Sequence, residues 1–369
     1  MRYTVPILLV LAIGLPALAG AQTLGEVKPA GREPSLAIGG LLQVQFDGGD
    51  KGDSRFANDF DRFYLRRARL NASGRFLEEF DFRLEMDLAG SLSNTTGLRA
   101  QMTDGYITWN RYPEANVRVG QFKTPFGFEQ LYGDPRLLTI ERTLVNDRLT
   151  LNRQLGAQVG GDFFEKRLGY AIGSFNGNGV NNNFNDNNAL VTVGRITAVP
   201  WQGNLGSIAA KWSVGANGFS SKDTGLALSD LGLDSTPTTP DRDGLFTGKR
   251  RGSGVDSQIV AGPFELWGEL LRDRFEPASK IPSASLTSDG WYGQASYFLV
   301  PNRFQIVAKY ETFDPNDRKN ADETKTATFG ANVYLKGHDL KLMANYLRTE
   351  LPGSQKTQNK VIARLQVIF

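Results

Sequence analysis

The 369-residue chain has no cysteine and a single histidine, and these two scarcities exclude much of enzyme chemistry. Without cysteine there are no disulfides, no thiolate metal ligands and no thiol nucleophile. With His338 alone, no nitrogen-rich metal site can be assembled. A Ser-His-Asp triad would have to use this same histidine, which sits in a turn-like segment between Gly337 and Asp339. Glu85 and Asp87 imitate the carboxylate pair of a glycosidase, but strand alternation explains their spacing more simply. No catalytic residue, cofactor or metal is therefore expected. A formal net charge of +3 says little about partners, and no nucleic-acid partner is expected.

Long apolar runs are also missing. Beyond residues 6–19, no stretch approaches the roughly 20 apolar residues of a spanning helix. Residues 6–19 follow Met1 and Arg2, contain Pro6, Gly14 and Pro16, and give way to Ala19, Gly20 and Ala21. A charged start, a short apolar centre and a small-residue end predict a secretory signal peptide over residues 1–21, with cleavage after Ala19 as the alternative. Residues 22–35 are polar and carry Gly25, Pro29, Gly31 and Pro34, which predicts a short periplasmic leader. An exported chain without a spanning helix is either soluble or crosses a membrane as a β-barrel, and composition does not separate the two.

Period-two alternation is what the chain has in quantity. In FDFRLEMDLA, residues 80–89, Phe80, Phe82, Leu84, Met86 and Leu88 share one face and Asp81, Arg83, Glu85 and Asp87 the other. A helix would scatter these charges all round, whereas a strand sorts them into apolar-out and charged-in. The same sorting sets Leu36, Ile38, Leu42, Val44 and Phe46 against Gln43, Gln45 and Asp47. It recurs in Trp291, Ala295, Tyr297 and Leu299 against Gln294 and Ser296, and in Ala327, Phe329, Ala331, Val333 and Leu335 against Thr328 and Asn332. About sixteen such segments can be counted, an even number that lets both ends lie on one side. The prediction is an all-β fold: a single transmembrane antiparallel β-barrel over residues 36–369.

Connections fall into two kinds, as a barrel with small turns on one side and large loops on the other requires. Short turns are read at residues 72–76, 110–114, 261–263, 301–303 and 336–339. Longer polar segments are read at 48–60, 176–188, 220–252, 277–288, 314–323 and 351–359. The Asn-rich tract at 181–188 reads as a solvated loop tip. In the last strand Val361, Ala363, Leu365, Val367 and Phe369 alternate with Ile362, Arg364, Gln366 and Ile368. A closing strand that ends on an aromatic resembles the signal read by outer-membrane assembly machinery.

Two stretches carry charge that cannot face lipid. YLRRARL, residues 64–70, places Arg67 and Arg69 on one face and Arg66 on the other. An arginine on the lipid face costs about 2–4 kcal/mol at the midplane, so the same-face pair points to the lumen and Arg66 to the interface or a protein contact. Residues 120–149 break alternation and are too long for a turn, which predicts a segment that folds inward and narrows the pore. This segment carries Lys123, Arg136, Arg142 and Arg148 with Glu129, Asp134, Glu141 and Asp147. A narrow passage lined by cations favours anions.

YLRRARL, FDFRLEMDLAG, VRVGQFKTPFG and PRLLTIER together resemble the phosphate-selective porin family, with weaker agreement in GWYGQASYFL and the last strand. The resemblance implies a sixteen-stranded, trimeric barrel in a Gram-negative outer membrane, with a water-filled channel for passive uptake of small anions, phosphate or polyphosphate. It carries over Arg66, Arg67, Arg69, Lys123, Arg136 and Arg142 as anion-binding or pore-lining positions. The partners it implies are inorganic phosphate or other small anions, outer-membrane lipid and lipopolysaccharide, further copies of the chain, and the assembly machinery through Phe369. Segment 220–252 mixes Lys222, Arg242, Lys249, Arg250 and Arg251 with Asp223, Asp230, Asp234, Asp241 and Asp243. It shows no plain arginine ladder, so a general or other-substrate porin stays open, as does a plugged structural or adhesive barrel. Interior positions that read as small, polar or charged favour the open channel.

Overall fold

The computed structural model describes residues 34–56, 61–89, 99–233, 245–278, 285–354 and 356–369. The signal-peptide prediction lies outside them, as does nearly all of the predicted leader. Sixteen antiparallel strands form one closed ring in which each pairs with its sequence neighbours and the last pairs with the first. They are β1 (Ser35–Gly49), β2 (Arg62–Phe76), β3 (Phe80–Asp87), β4 (Gln101–Tyr112), β5 (Ala115–Lys123), β6 (Arg153–Phe163), β7 (Leu168–Phe175) and β8 (Val191–Leu205). The second half is β9 (Ile208–Leu226), β10 (Phe246–Ala261), β11 (Phe264–Pro277), β12 (Leu286–Val300), β13 (Phe304–Asp314), β14 (Thr324–Lys336), β15 (Leu340–Glu350) and β16 (Gln358–Ile368). Ring closure leaves no sheet edge, which a strand protein in lipid requires because unpaired backbone groups there have no water.

The alternation in the sequence is the alternation of the wall. On β3, Leu84 and Met86 are exposed on the outside while Glu85 and Asp87 are buried inside. On β1, Leu36, Ile38 and Leu42 face out, and Gln43, Gln45 and Asp47 face in. On β16, Val361 and Leu365 face out, and Arg364 and Gln366 face in. Among the described residues no helix is long and apolar enough to cross a membrane; the strands provide the apolar outer band.

Three expectations need correction. No turn forms at 72–76: β2 continues to Phe76 and the chain reverses over 77–79, where Leu77 and Glu78 adopt positive φ. Segment 220–252 is largely strand, because β9 runs to Leu226 and β10 starts at Phe246, which places Lys249, Arg250 and Arg251 in the wall. The interior is also not uniformly polar. Phe175, Phe219, Trp267, Leu271, Phe275 and Tyr292 point inward and join Phe126, Leu144, Val145 and Leu149 of the in-folded segment in one buried apolar cluster.

The chain between β5 and β6 does turn inward. It holds two short helices, α1 (Phe128–Leu131) and α2 (Leu144–Leu149), with a 3-10 turn at Asp134–Arg136 between them. Its apolar side packs on the far wall, with Phe126 edge-on to Phe219 at 4.8 Å and Phe128 edge-on to Trp267 at 5.3 Å between ring centres.

Candidate functional site

An irregular segment buried inside a barrel must find partners for its own N–H and C=O groups, and the wall supplies them from β9 to β16, beginning with Asn217, which accepts from Gly127 N–H at 3.3 Å, and Arg250, which donates to the Leu149 carbonyl at 3.2 Å. Glu269 accepts from the N–H of Phe128 at 2.5 Å and of Glu129 at 3.2 Å. Glu311 accepts from Leu144 N–H at 2.5 Å, and Asn345 Oδ1 from Ile140 N–H at 2.7 Å. Asn332, Lys341 and Arg364 donate to the carbonyls of Leu138, Leu137 and Ile140 at 2.9, 2.8 and 2.6 Å. The segment is thus fastened to one half of the barrel. Open space is left along the other half, the wall made by β2 to β6.

That space is a cavity of about 550 Å³ lined by Arg55, Arg66, Arg67, Arg69, Arg142, Arg148 and Arg153, against the carboxylates Asp87, Asp134, Glu141 and Asp147. Asp134, in the 3-10 turn, is the hub. Arg142 reaches it at 2.5 Å, Arg69 at 2.6 Å and Arg67 at 3.2 Å. Burial alone would raise the Asp134 carboxyl, but these guanidiniums outweigh it and hold the group well below the usual carboxylate range. Glu141 is a second hub, gripped by Arg66 at 2.9 Å and Arg364 at 2.6 Å. Its carboxyl is held low in the same way against the pull of burial.

Arg66 departs from the reading of strict alternation. The β1–β2 pairing steps from Gln43 opposite Arg67 to Val44 opposite Leu65, so Arg66 is the extra residue of a bulge. A bulge shifts the side-chain phase by one, and Arg66, Arg67 and Arg69 all point into the lumen. Nothing in YLRRARL marks that irregularity; only the pairing with β1 reveals it.

The remaining predicted residues separate. Lys123 does not line the cavity: its ammonium donates to the carbonyls of Gln130 at 2.6 Å and Tyr132 at 3.2 Å, spanning the base of the in-folded segment. Arg136 lies apart from the other five, in a pocket at the short-turn end beside Lys336, His338 and Asp339. There His338 Nδ1 contacts the Pro135 carbonyl at 3.1 Å, so the lone histidine helps seat the segment.

Residues outside the motif carry-over extend the cationic wall, Arg83 among them already read as inward-facing from alternation. Arg153, first in β6, pairs with Asp104 at 2.7 Å. Arg83 pairs with Glu85 at 2.5 Å, and Arg69 with Asp87 at 2.9 Å directly across β2 and β3. Toward the short-turn end a second cavity of about 650 Å³ is lined by Arg75, Arg83 and Arg118, with Asp81 its one carboxylate. Arg118 lies 4.4 Å over the Tyr106 ring. Arginine at alternate positions on a charged strand face was the available signal, since Arg75 and Arg83 share the inward phase of Arg69.

The model of the family described as phosphate-selective porin O and P matches residues 37–369. Porin O of Pseudomonas aeruginosa is 20% identical over 351 residues, covering 84% of this chain and 78% of that protein. Among solved structures, the anion-selective porin from Comamonas acidovorans aligns with a TM-score of 0.58 at 13% identity, covering 91% of this chain and 100% of that one. The trimer form of OmpT from Vibrio cholerae aligns with a TM-score of 0.59 at 10% identity, covering 92% and 100%. With a closed sixteen-stranded wall, an in-folded constriction and a family match over nearly all of the barrel, the chain belongs to the phosphate-selective porin O and P family and is an outer-membrane porin of the Gram-negative envelope, a channel and not an enzyme.

Proposed function

We propose that this porin passes small inorganic anions, with phosphate the substrate its cationic wall suits best, and that it works as a homotrimer. The observation that carries the reading is the constriction cavity, where seven arginines and four carboxylates line the open space, the further partners of Arg55 and Arg153 (Asp53, Glu311 and Asp104) lying outside that lining. This excess of lining cations continues toward the short-turn end, where Arg75, Arg83 and Arg118 line the space with Asp81, and Arg83's partners Glu85 and Asp104 lie outside the lining. In a narrow, low-dielectric passage such an excess raises the local anion concentration and repels cations. Guanidinium forks match the oxygens of phosphate, and spreading them along one wall keeps each contact weak enough for release. The family match and the anion-selective relative support this direction. The trimeric relative supports the assembly.

Reversal potentials across a planar bilayer under a salt gradient test the anion reading, and titrating phosphate into chloride tests the substrate. The expected result is anion preference with a chloride current partly blocked by phosphate. Cation preference would overturn the whole reading. Anion preference without block would remove phosphate and leave a general anion porin.

A further inference from the structure

The connection from β1 to β2 begins at the long-loop end with a polar stretch, which ordinarily stays in water. Residues 50–56 instead run into the lumen. Gly52 turns the chain at positive φ, and Asp53 and Phe56 are only 2% and 3% exposed. Phe56 packs on Ile140 of the in-folded segment and on the inward-facing Met343, Leu347 and Ile362 of β15 and β16. At the root of the turn, Lys360 of β16 donates to the Asp50 carbonyl at 3.2 Å and lies 5.1 Å over the Phe56 ring. The stretch is therefore a strap rooted at the β1–β16 seam and seated on the in-folded segment.

Arg55 ties the strap to a more distant part of the wall. Its guanidinium pairs with Asp53 at 2.6 Å and with Glu311 of β13 at 2.8 Å, and donates to the Arg142 carbonyl at 2.5 Å. Glu311 thereby holds two segments at once: the strap through Arg55, and the in-folded segment through Leu144 N–H. Arg148 of α2 donates to the carbonyl and to the hydroxyl of Ser54, both at 2.9 Å. Buried charges are tolerated only with their partners in place, so the Arg55–Glu311 pair fixes the path of the strap. Ser54 is exposed, and with Arg55 it lines the same constriction cavity as Arg66, Arg67, Arg69 and Arg142.

We propose that residues 50–56 are a second constricting segment, so that two inward folds set the width of the passage, with Ser54 at its edge and Arg55 and Phe56 as the anchors of the strap. The inference rests on the channel itself and not on its preference for anions. A narrow pore conducts according to the cross-section left open and what lines it, and part of that lining is Ser54 and Arg55. Loosening the strap widens the passage, and adding bulk at its edge narrows it.

The lack of cysteine in the chain leaves a thiol reagent without background. Full-length Ser54→Cys, reconstituted in a planar bilayer, is treated with a bulky neutral maleimide, whose uncharged adduct alters cross-section without adding a charge that would act on ion preference. A stepwise partial loss of single-channel current is expected. The parent should not respond, and neither should Glu323→Cys, an exposed position on the connection between β13 and β14. An adduct on Ser54→Cys verified by mass, with the current unchanged, would overturn the proposal. Phe56→Ala removes an anchor without stranding a charge. It should raise open-channel conductance and, combined with Ser54→Cys, shrink the effect of the adduct, while heat-modifiable gel mobility is kept. Parent-like conductance in folded Phe56→Ala would likewise overturn the strap. If Phe56→Ala folds poorly, the adduct on Ser54→Cys decides alone, because Ser54 is exposed and its replacement leaves both anchors in place.

Discussion

Lys123 and Arg83 face the same lumen, and their partners decide what each does. Lys123 supplies the donor for two carbonyls of the in-folded segment. Arg83 lines the wider cavity, and its partners, Glu85 and Asp104, are both on the wall. Replacing Lys123 with Met leaves the Gln130 carbonyl without its donor, at about 1–3 kcal/mol, while the Tyr132 carbonyl keeps Arg142 at 2.9 Å. The expected outcome is a loosened constriction, seen as noisier single-channel currents and a lower temperature for loss of the unboiled gel form. Arg83→Gln/Arg118→Gln should instead lower the anion-to-cation permeability ratio while leaving the current noise unchanged. The two variants behaving alike would undo this division. Asp134 and Glu141 allow a prediction in pH. A carboxyl whose folded pKa is depressed contributes stability that is fully present above its unfolded value, near 4. That stability is lost only as pH falls through the lower folded value. Both groups are depressed by their arginines, so the stability their ion pairs contribute should be constant from pH 7 to about 4.5. The difference in thermal unfolding between the parent and Glu141→Gln, followed across that window, checks this for Glu141, and a difference that shrinks within it would show that this hub is not ionised as described.

At the scale of elements, the constriction is a bridge between β2 and β16 with Glu141 as its keystone. Arg66 and Arg364 both hold that carboxylate, so either one can be lost with the other still in place. Arg66→Ala should therefore weaken the segment modestly, and Arg364→Ala more, because it also removes the donor to the buried Ile140 carbonyl. The double variant should cost more than the sum, because it strands a buried charge, at about 3–5 kcal/mol. A double-mutant cycle on thermal unfolding measures the difference, and simple additivity would mean that Glu141 is held elsewhere. A second cross-strand device spans β8 to β10, where Arg195 reaches Asp256 at 2.7 Å across Gly215 of β9. A Cβ on Gly215 would lie 2.5 Å from Arg195 Nη2, so Gly215→Ala should break the bridge and lower thermal stability. The strands themselves were legible because lipid on one side and water on the other impose a period of two on residues such as 80–89. The β2 bulge was not, because a one-residue phase slip is a property of two paired strands and YLRRARL is only one of them. The apolar cluster around Trp267 and Phe219 was missed for a related reason. An inward Trp reads as an outward one until the in-folded segment that covers it is placed.

For the whole molecule, that cluster means the barrel is filled on one side and open on the other. Under the proposed function selectivity rests on one wall, because the arginines of β2 to β6 line open space whereas Lys309, Lys341 and Arg364 of the other wall are bonded to the in-folded segment. The other global requirement is closure between β1 and β16, a ladder running from Leu41 opposite Ile368 to Gly49 opposite Lys360. Phe369 extends it by one further exchange: Gly40 N–H donates to the Phe369 carbonyl at 2.8 Å, and Phe369 N–H to the Gly40 carbonyl at 3.2 Å. Phe369 is 69% exposed on the outside, although its ring lies so close over Gly40 that a Cβ there would run into it. The backbone exchange does not need the ring, whereas a side chain at position 40 would displace it. Phe369→Ala should thus leave the refolded barrel with unchanged strand content, gel mobility and conductance. Its yield in the outer membrane of cells should nevertheless fall, as a ring that serves assembly more than the finished fold would require. Gly40→Val should reduce both, because it pushes on the seam itself. Equal cellular yields for Phe369→Ala and the parent, with Gly40→Val still impaired, would reduce the aromatic to a minor seam contact and leave assembly to the rest of β16.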